Sequence, residues 1–345
     1  MSTMERDAAQ RLALQLSQDA FFIGILLLRN VLSAMAVCGM GAVLRWEKIT
    51  RKYHPNVRLM LRAHFAFALG YSLGTFVSEG SDSARLLISC KNSATDKCDI
   101  TLYSGLGIFI MKTPNVFFLN ALGINFTFIA LERLFTNIWP KFYEKKCKSN
   151  VVGWALLLLT LLLSAGKIVW HSFNYNFYKV FPVTAIHAVH KDTLEQSLAI
   201  FGIVEVFNLT IVGILYYANH ATRKNLTSTL SYKYQAHKNL KPLKFLVTIA
   251  IFHSIAIIVA TGVFMSSVRF IKVAYNRYEP AMNWFIIYPF TLPFIFLIKQ
   301  WMDSRATTKV TGVKEGTQDD HFIMLNNLFE TPQPQTMQKY HPSGK

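Results

Sequence analysis

The side chains that could do chemistry in this 345-residue chain are charged and polar groups set within or beside long apolar runs. Glu132 and Arg133 are adjacent, end one such run and precede a basic stretch. This pair has two interpretations. It is either a solvated ion pair that sets the orientation of a helix end at a membrane surface, or a latch that releases Arg133 to a cytoplasmic partner.

Two further ionisable residues lie deep inside apolar runs. Glu205 is near the middle of one run and His253 is near the middle of the next. At 1.5 Å per residue, counted from opposite membrane faces, their depths agree within about one helical turn. Because a carboxylate in lipid is costly unless it is paired or protonated, we predict a contact between them. The contact is either a ligand-sensing polar centre or an interhelical hydrogen bond.

Enzyme signatures are missing from the sequence. No Asp lies inside an apolar run to complete a carboxylate pair, and neither GxSxG nor HExxH occurs. The four cysteines have no close His spacing, so we predict neither a metal site nor a cofactor. Cys90 and Cys98 bound the stretch CKNSATDKC, which favours a local disulfide over free thiols.

The composition indicates a membrane protein. Hydrophobic residues make up 52% of the chain, charged residues only 16%, and the mean hydropathy is +0.28. The net charge of +17 is distributed between the apolar runs rather than over one polar face, so we do not predict a nucleic-acid partner. The lipid bilayer is the first predicted partner.

The elements that must position these residues are membrane-spanning helices, each needing roughly 20 apolar residues. Seven stretches qualify: residues 21–44, 59–78, 113–131, 151–170, 197–218, 245–266 and 281–298. The third and seventh are short and contain Pro114, Pro289 and Pro293. We therefore predict an all-α membrane protein, a seven-transmembrane helix bundle.

The distribution of lysine and arginine predicts the orientation of the bundle. The first, third and fifth connections hold these residues at more than twice the density of the other three connections, so they are predicted to be cytoplasmic. The N-terminus is then outside and the C-terminus cytoplasmic. The predicted organisation is an extracellular segment (1–20), a membrane domain (21–301) and a mostly disordered cytoplasmic tail (302–345).

Four short motifs are distributed over nearly the whole chain: residues 131–133 (LER) with 143–144 (YE), 230–235 (LSYKYQ) with Asn239, 288–293 (YPFTLP), and more faintly 321–325. These motifs resemble those of the nematode serpentine chemoreceptors of the Sra superfamily, most closely class AB (Srab) and next the alpha class. Two positions depart from the family pattern: Lys233 stands where arginine is common, and Lys238 replaces an acid.

This resemblance implies a G-protein-coupled chemosensory receptor, multi-pass in the plasma membrane of sensory neurons. The implied partners are an unknown small-molecule ligand and a heterotrimeric G protein. The residues expected to couple to the G protein are Glu132, Arg133, Tyr234, Gln235 and Asn239. The candidates for the ligand pocket are Asn120, Asn125, Glu205, His253 and Tyr288.

A multi-pass transporter or ligand-gated channel is the alternative function. No internal repeat and no matching pair of broken helices supports this alternative. The short proline-containing spans are nevertheless compatible with a transporter or channel. Ion-flux measurements in a reconstituted membrane separate it from a receptor that needs a G protein.

Overall fold

A computed structural model describes residues 3–45, 54–91, 100–139, 143, 150–173, 175–184, 191–224, 230–270 and 284–309. In this part of the chain the fold consists of eight helices and one pair of two-residue strands. The helices are α1 (Thr3–Gln18), α2 (Ala20–Arg45), α3 (Pro55–Lys91), α4 (Gly105–Ile138), α5 (Val151–Phe173), α6 (Lys191–Lys224), α7 (Leu230–Phe270) and α8 (Ile287–Lys309). The strands, β1 (Tyr103–Ser104) and β2 (Val180–Phe181), pair antiparallel.

Five of the described helices are long and apolar enough to cross a membrane. They are α2, α4, α5, residues Ala199–Ala221 of α6 and Phe245–Val263 of α7. The apolar part of α8, Ile287–Ile298, is shorter. Large apolar side chains are exposed along these helices, for example Leu162 and Ile214, which is the surface that lipid covers. The chain is therefore a multi-pass helical membrane protein.

The remaining predicted span lies in α3, which is 37 residues long and less apolar because polar side chains recur along it. Ser72, Thr75, Glu79 and Asp82 are all buried. Helices α2 to α8 overlap the seven predicted spans in sequence, and five of these helices are long and apolar enough to cross a membrane.

Two predicted helix boundaries are wrong. The connection predicted over residues 79–112 is largely helical, since α3 continues to Lys91 and α4 already begins at Gly105. Ser104 caps α4, its hydroxyl accepting a hydrogen bond from the Gly107 amide at 3.1 Å. Helix α4 also runs on through Pro114, so this proline does not limit the span.

Only one of the two prolines of the seventh predicted span lies in the interior of its helix. Helix α8 begins at Ile287, which places Pro289 in its first turn, where a backbone N–H needs no helical partner. Pro293 alone lies in the helix interior. Its ring lies close to Gly39 of α2, where a Cβ would be 2.8 Å away.

Helix α1 packs on one end of the bundle, which we call the α1 end. Asp19 separates α1 from α2 and caps α2, accepting from the amides of Phe21 and Phe22. A small apolar core beneath α1 is formed by Ala13, Leu16, Phe22, Ile23, Leu26, Leu86, Ile100 and Val183. We call the opposite end, where α3 and α5 begin, the Tyr143 end.

Candidate functional site

A buried polar cluster joins four helices at the centre of the bundle. This central cluster comprises His64 of α3, Glu205 of α6, His253 of α7 and Tyr288 of α8. His253 Nδ1 lies 3.1 Å from Glu205 Oε2, and His64 Nε2 lies 2.5 Å from the Tyr288 hydroxyl. The His253 and Tyr288 rings are 4.4 Å apart. The contacts therefore form one continuous network across the four helices.

The contact predicted between Glu205 and His253 is confirmed. Ser254 adds a second hydrogen bond, donating from its hydroxyl to the same Glu205 oxygen at 3.2 Å. His64 was not among the predicted site residues. The signal that could have identified it is its position inside an apolar run, five residues after the start of the predicted second span.

The two asparagines predicted for the same site lie on α4. Asn125 donates from Nδ2 to the Met60 carbonyl of α3 at 3.0 Å, one turn before His64. The next residue, Phe126, stacks near His253 with ring centroids 5.2 Å apart. Asn125 thus borders the central cluster. Asn120 is buried, and its Nδ2 has no hydrogen-bond partner in the described part of the chain.

A second polar cluster, the Tyr143 cluster, gathers at the opposite end around Glu132. Arg133 donates twice to the Glu132 carboxylate, from Nε at 2.5 Å and from Nη2 at 2.7 Å. The Tyr143 hydroxyl donates to Glu132 Oε1, the oxygen that also accepts from Arg133 Nη2. Glu132 therefore holds Arg133 and Tyr143 together.

The Tyr143 hydroxyl also binds the start of α3. Asn56 donates to it from Nδ2 at 2.8 Å, and His54 Nδ1 lies 3.1 Å away. The side-chain oxygen of Asn56, Oδ1, accepts from the Gly153 amide at the start of α5 at 3.1 Å. Burial and the nearby Glu132 carboxylate raise the pKa of Tyr143, so the phenol stays protonated and donates to Glu132.

The side chains of five other predicted residues are outside the part of the chain that the structure describes. Tyr234, Gln235 and Asn239 lie in the first turns of α7, but their side chains are outside the described residues. The same holds for Cys90 near the end of α3, and Cys98 lies outside the described residues altogether. The predicted disulfide and these coupling contacts remain predictions.

A third cluster lies at the α1 end and contains none of the residues predicted for the ligand pocket or for G-protein coupling. Arg29 of α2 donates to Glu79 of α3, and both side chains are buried. Asp82 accepts from both the amide and the hydroxyl of Thr184, at 2.9 Å and 2.5 Å. Burial raises the pKa of Asp82 even though Thr184 and the charges of Lys112 and Arg85 oppose this shift.

Arg85 ties this cluster to the strands. Its guanidinium lies over the Tyr103 ring, 4.1 Å from the centroid, and donates to the backbone carbonyls of Thr101 and Pro182. The segments before α4 and after α5 are therefore fixed to the end of α3. Only the intramembrane position of Arg29 could have signalled this cluster, because its acidic partner follows the predicted span rather than lying in it.

An apolar outer surface around a buried polar centre built by four helices is the arrangement of a multi-pass helical membrane protein. The sequence model of one family, serpentine type 7TM GPCR receptor class ab chemoreceptors, matches residues 9–329. The chain belongs to this Srab family, a family of chemoreceptors and not of enzymes. A search of curated proteins found no match.

Proposed function

We propose that this chain is a G-protein-coupled chemosensory receptor that binds a small molecule inside the bundle and signals to a heterotrimeric G protein. In this proposal all seven helices α2 to α8 cross the plasma membrane of a sensory neuron. The N-terminus and the α1 end face outward, and the Tyr143 end faces the cytoplasm. Family membership supports the receptor class, and the lysine and arginine distribution supports the orientation.

The observation on which ligand binding rests is the central cluster. Its four members come from α3, α6, α7 and α8, so a molecule that binds them changes the contacts between four helices at once. A ligand shifts a conformational equilibrium only if it binds one helix arrangement more tightly than the other. Polar contacts that link helices provide such a difference, because each helix movement makes or breaks them.

The residues proposed to transmit the signal lie at the Tyr143 end. Arg133 is held by Glu132, and its side chain is 10% exposed. A cytoplasmic partner that pairs with Arg133 competes with Glu132 for the guanidinium. Tyr234, Gln235 and Asn239 at the start of α7 are proposed to meet the same G protein.

The test is a ligand screen in cells with a G-protein readout, comparing wild type with Arg133→Ala. Arg45→Ala is the matched control, since Arg45 is an exposed arginine at the end of α2. At equal surface expression, we expect Arg133→Ala to lose the ligand response and Arg45→Ala to keep it. A response that survives Arg133→Ala in full would remove Arg133 from signal transmission, and ion flux without G protein would favour the transporter or channel.

A further inference from the structure

Glu205 has a carboxylate oxygen that nothing in the described part of the chain satisfies. The two hydrogen bonds that Glu205 accepts there, from His253 and Ser254, both reach Oε2. Oε1 has no hydrogen-bond partner, although the residue is fully buried. An unpaired carboxylate oxygen in a membrane interior is among the most unfavourable placements of a polar atom, so it points to a donor from outside the chain.

In the part of the chain that the structure describes, Glu205 forms no ion pair with lysine or arginine. Lys167 of α5 places its ammonium over the ring of Phe201, one turn before Glu205, at 4.4 Å from the centroid. That ammonium is used in a cation–π contact with the ring rather than in an ion pair with the carboxylate.

The protonation state of His253 does not remove the need for a further donor. With Nδ1 donating to Glu205, a neutral His253 leaves Nε2 as an acceptor without a partner in the described residues. A protonated His253 compensates the charge, but Oε1 still lacks a donor. Glu205 Oε1 is thus an unsatisfied acceptor in both states.

A second buried side chain beside Glu205 lacks partners entirely. Asn208 lies three residues further along α6, which places it on the same side of the helix. It is fully buried, and both Oδ1 and Nδ2 are without a hydrogen-bond partner in the described part of the chain. Glu205 and Asn208, about one helical turn apart on α6, offer one unpaired acceptor oxygen each, and a neutral His253 on α7 offers Nε2 as a third acceptor.

We infer that this acceptor group is the polar half of the ligand site and that it selects a small protonated amine. An ammonium carries three N–H donors and one positive charge, which matches the unsatisfied acceptors and the carboxylate. The rings of Phe126 and Tyr288 lie beside His253 and add aromatic faces that favour a cation. A carboxylate ligand would be repelled by Glu205, and an alcohol would leave its charge uncompensated. This inference rests on the proposed ligand binding in the bundle.

The experiment is thermal unfolding of the purified full-length receptor in lipid nanodiscs with three matched sets of probes. Butylamine, benzylamine and phenethylamine are each compared with the alcohol and the carboxylate of the same carbon skeleton. These amines are protonated at pH 7, as the lysine side chain is. A ligand that binds only the folded state raises Tm with increasing concentration, so Tm reports the apparent Kd.

We expect at least one amine to raise Tm more than its matched alcohol and carboxylate. Glu205→Gln keeps the shape of the side chain and should weaken amine binding by roughly tenfold to a hundredfold. Asn208→Ala should weaken it by about fivefold to tenfold, which preserves the test if Glu205→Gln fails to fold. Asn219→Ala is the control. Asn219 is a buried asparagine on α6 whose Nδ2 donates to the Leu215 carbonyl of the same helix, so this substitution should leave amine binding unchanged.

Three results would overturn the inference: no amine-specific rise in Tm at millimolar concentration, an equal rise with alcohols or carboxylates, or an amine effect that survives Glu205→Gln. The test is separable from the proposed function. If neutral or acidic compounds evoke a G-protein response through Arg133, the receptor function stands and the amine selectivity fails. If amines bind through Glu205 without any G-protein response, the amine site stands and the receptor function fails.

Discussion

At the scale of single residues, Tyr143 makes the contacts that join three separate segments. Its hydroxyl donates to Glu132 of α4 and accepts from Asn56 of α3, and Asn56 in turn accepts from the start of α5. One phenol oxygen thereby connects three helices at the end where a cytoplasmic partner is proposed to bind.

Tyr143→Phe should destabilise the protein by removing this oxygen and leaving the ring. A hydrogen bond to a charged group contributes about 1.5–3 kcal/mol, so we expect a Tm lower by several degrees in nanodiscs. Tyr175→Phe is the control, because the Tyr175 hydroxyl is buried without a hydrogen-bond partner in the described residues while its ring packs on Phe109 and Phe177. Equal Tm values for Tyr143→Phe and wild type would contradict the stabilising role of this contact.

Asp82, beyond the predicted second span, gives the stability a dependence on pH. Because burial raises its pKa, the folded state binds this proton more tightly than the unfolded chain does. Its contribution to the free energy of unfolding is complete below the unfolded pKa of about 3.9 and is lost as the pH rises through the folded pKa. The stability of wild type relative to Asp82→Asn should therefore fall as the pH rises from about 4.

Unfolding curves of both proteins across that pH range provide the measurement. Subtracting one curve from the other removes the other carboxylates, which the two proteins share. A difference in stability that grows in favour of wild type with rising pH would show that the ion pair with Arg85 outweighs burial, and the predicted pH dependence would then be wrong.

Some of these residue contacts could be predicted and others could not, for a physical reason. Glu205 and His253 stand alone in apolar runs, and the regular rise of a helix converts their positions into depths that agree. Glu79 and Asp82 follow an apolar run and look like loop residues in sequence. Only the packed structure shows that the helix continues and buries them against Arg29 and Thr184.

At the scale of elements, α3 and α4 approach closely at two glycines. A Cβ at Gly74 would lie 2.0 Å from Asn115 Oδ1, and one at Gly70 would lie 2.6 Å from the Phe118 ring. Small residues four apart let the backbones of neighbouring membrane helices come together. This contact positions α3, which bears members of all three polar clusters.

Gly74→Ala should displace the buried Asn115 side chain, whose Nδ2 donates to Ser78 Oγ at 3.3 Å, or push α3 away from α4. Overpacking of this kind costs about 1–3 kcal/mol, so the variant should unfold at a lower temperature than wild type. Gly202→Ala on α6 is the control, since a Cβ there meets no atom within 4 Å and alanine favours the helix. If Gly74→Ala were as stable as Gly202→Ala, the close α3–α4 contact would be contradicted.

The helices themselves were predicted better than their ends. Apolar runs identify spans because lipid demands a continuous apolar surface, and α2 and α5 match their predicted spans within a few residues. The start of α4 was placed late because residues 105–112 are helical outside the apolar run. Ser104 at the cap and the strand pairing of Tyr103 determine that start, and hydropathy does not report either feature.

At the scale of the whole molecule, the three clusters divide the bundle by depth. The third cluster, at the α1 end, connects α2, α3 and the strand segments. The central cluster joins four helices, and the Tyr143 cluster joins three helices at the other end. In the proposed function and orientation, the ligand site lies between the cluster at the α1 end and the Glu132 contact that restrains Arg133. The family and the bundle class were predictable from motifs and apolar runs, whereas this division depends on side-chain contacts between distant segments.

The orientation of the bundle is the claim on which the proposed outer and inner roles depend. Epitope tags at the two ends of the chain, probed on intact and then on permeabilised cells, test it most directly. We expect antibody to reach the N-terminal tag on intact cells and the C-terminal tag only after permeabilisation. Detection of both tags on the same side of the membrane would contradict seven crossings, and detection of only the C-terminal tag on intact cells would reverse the orientation.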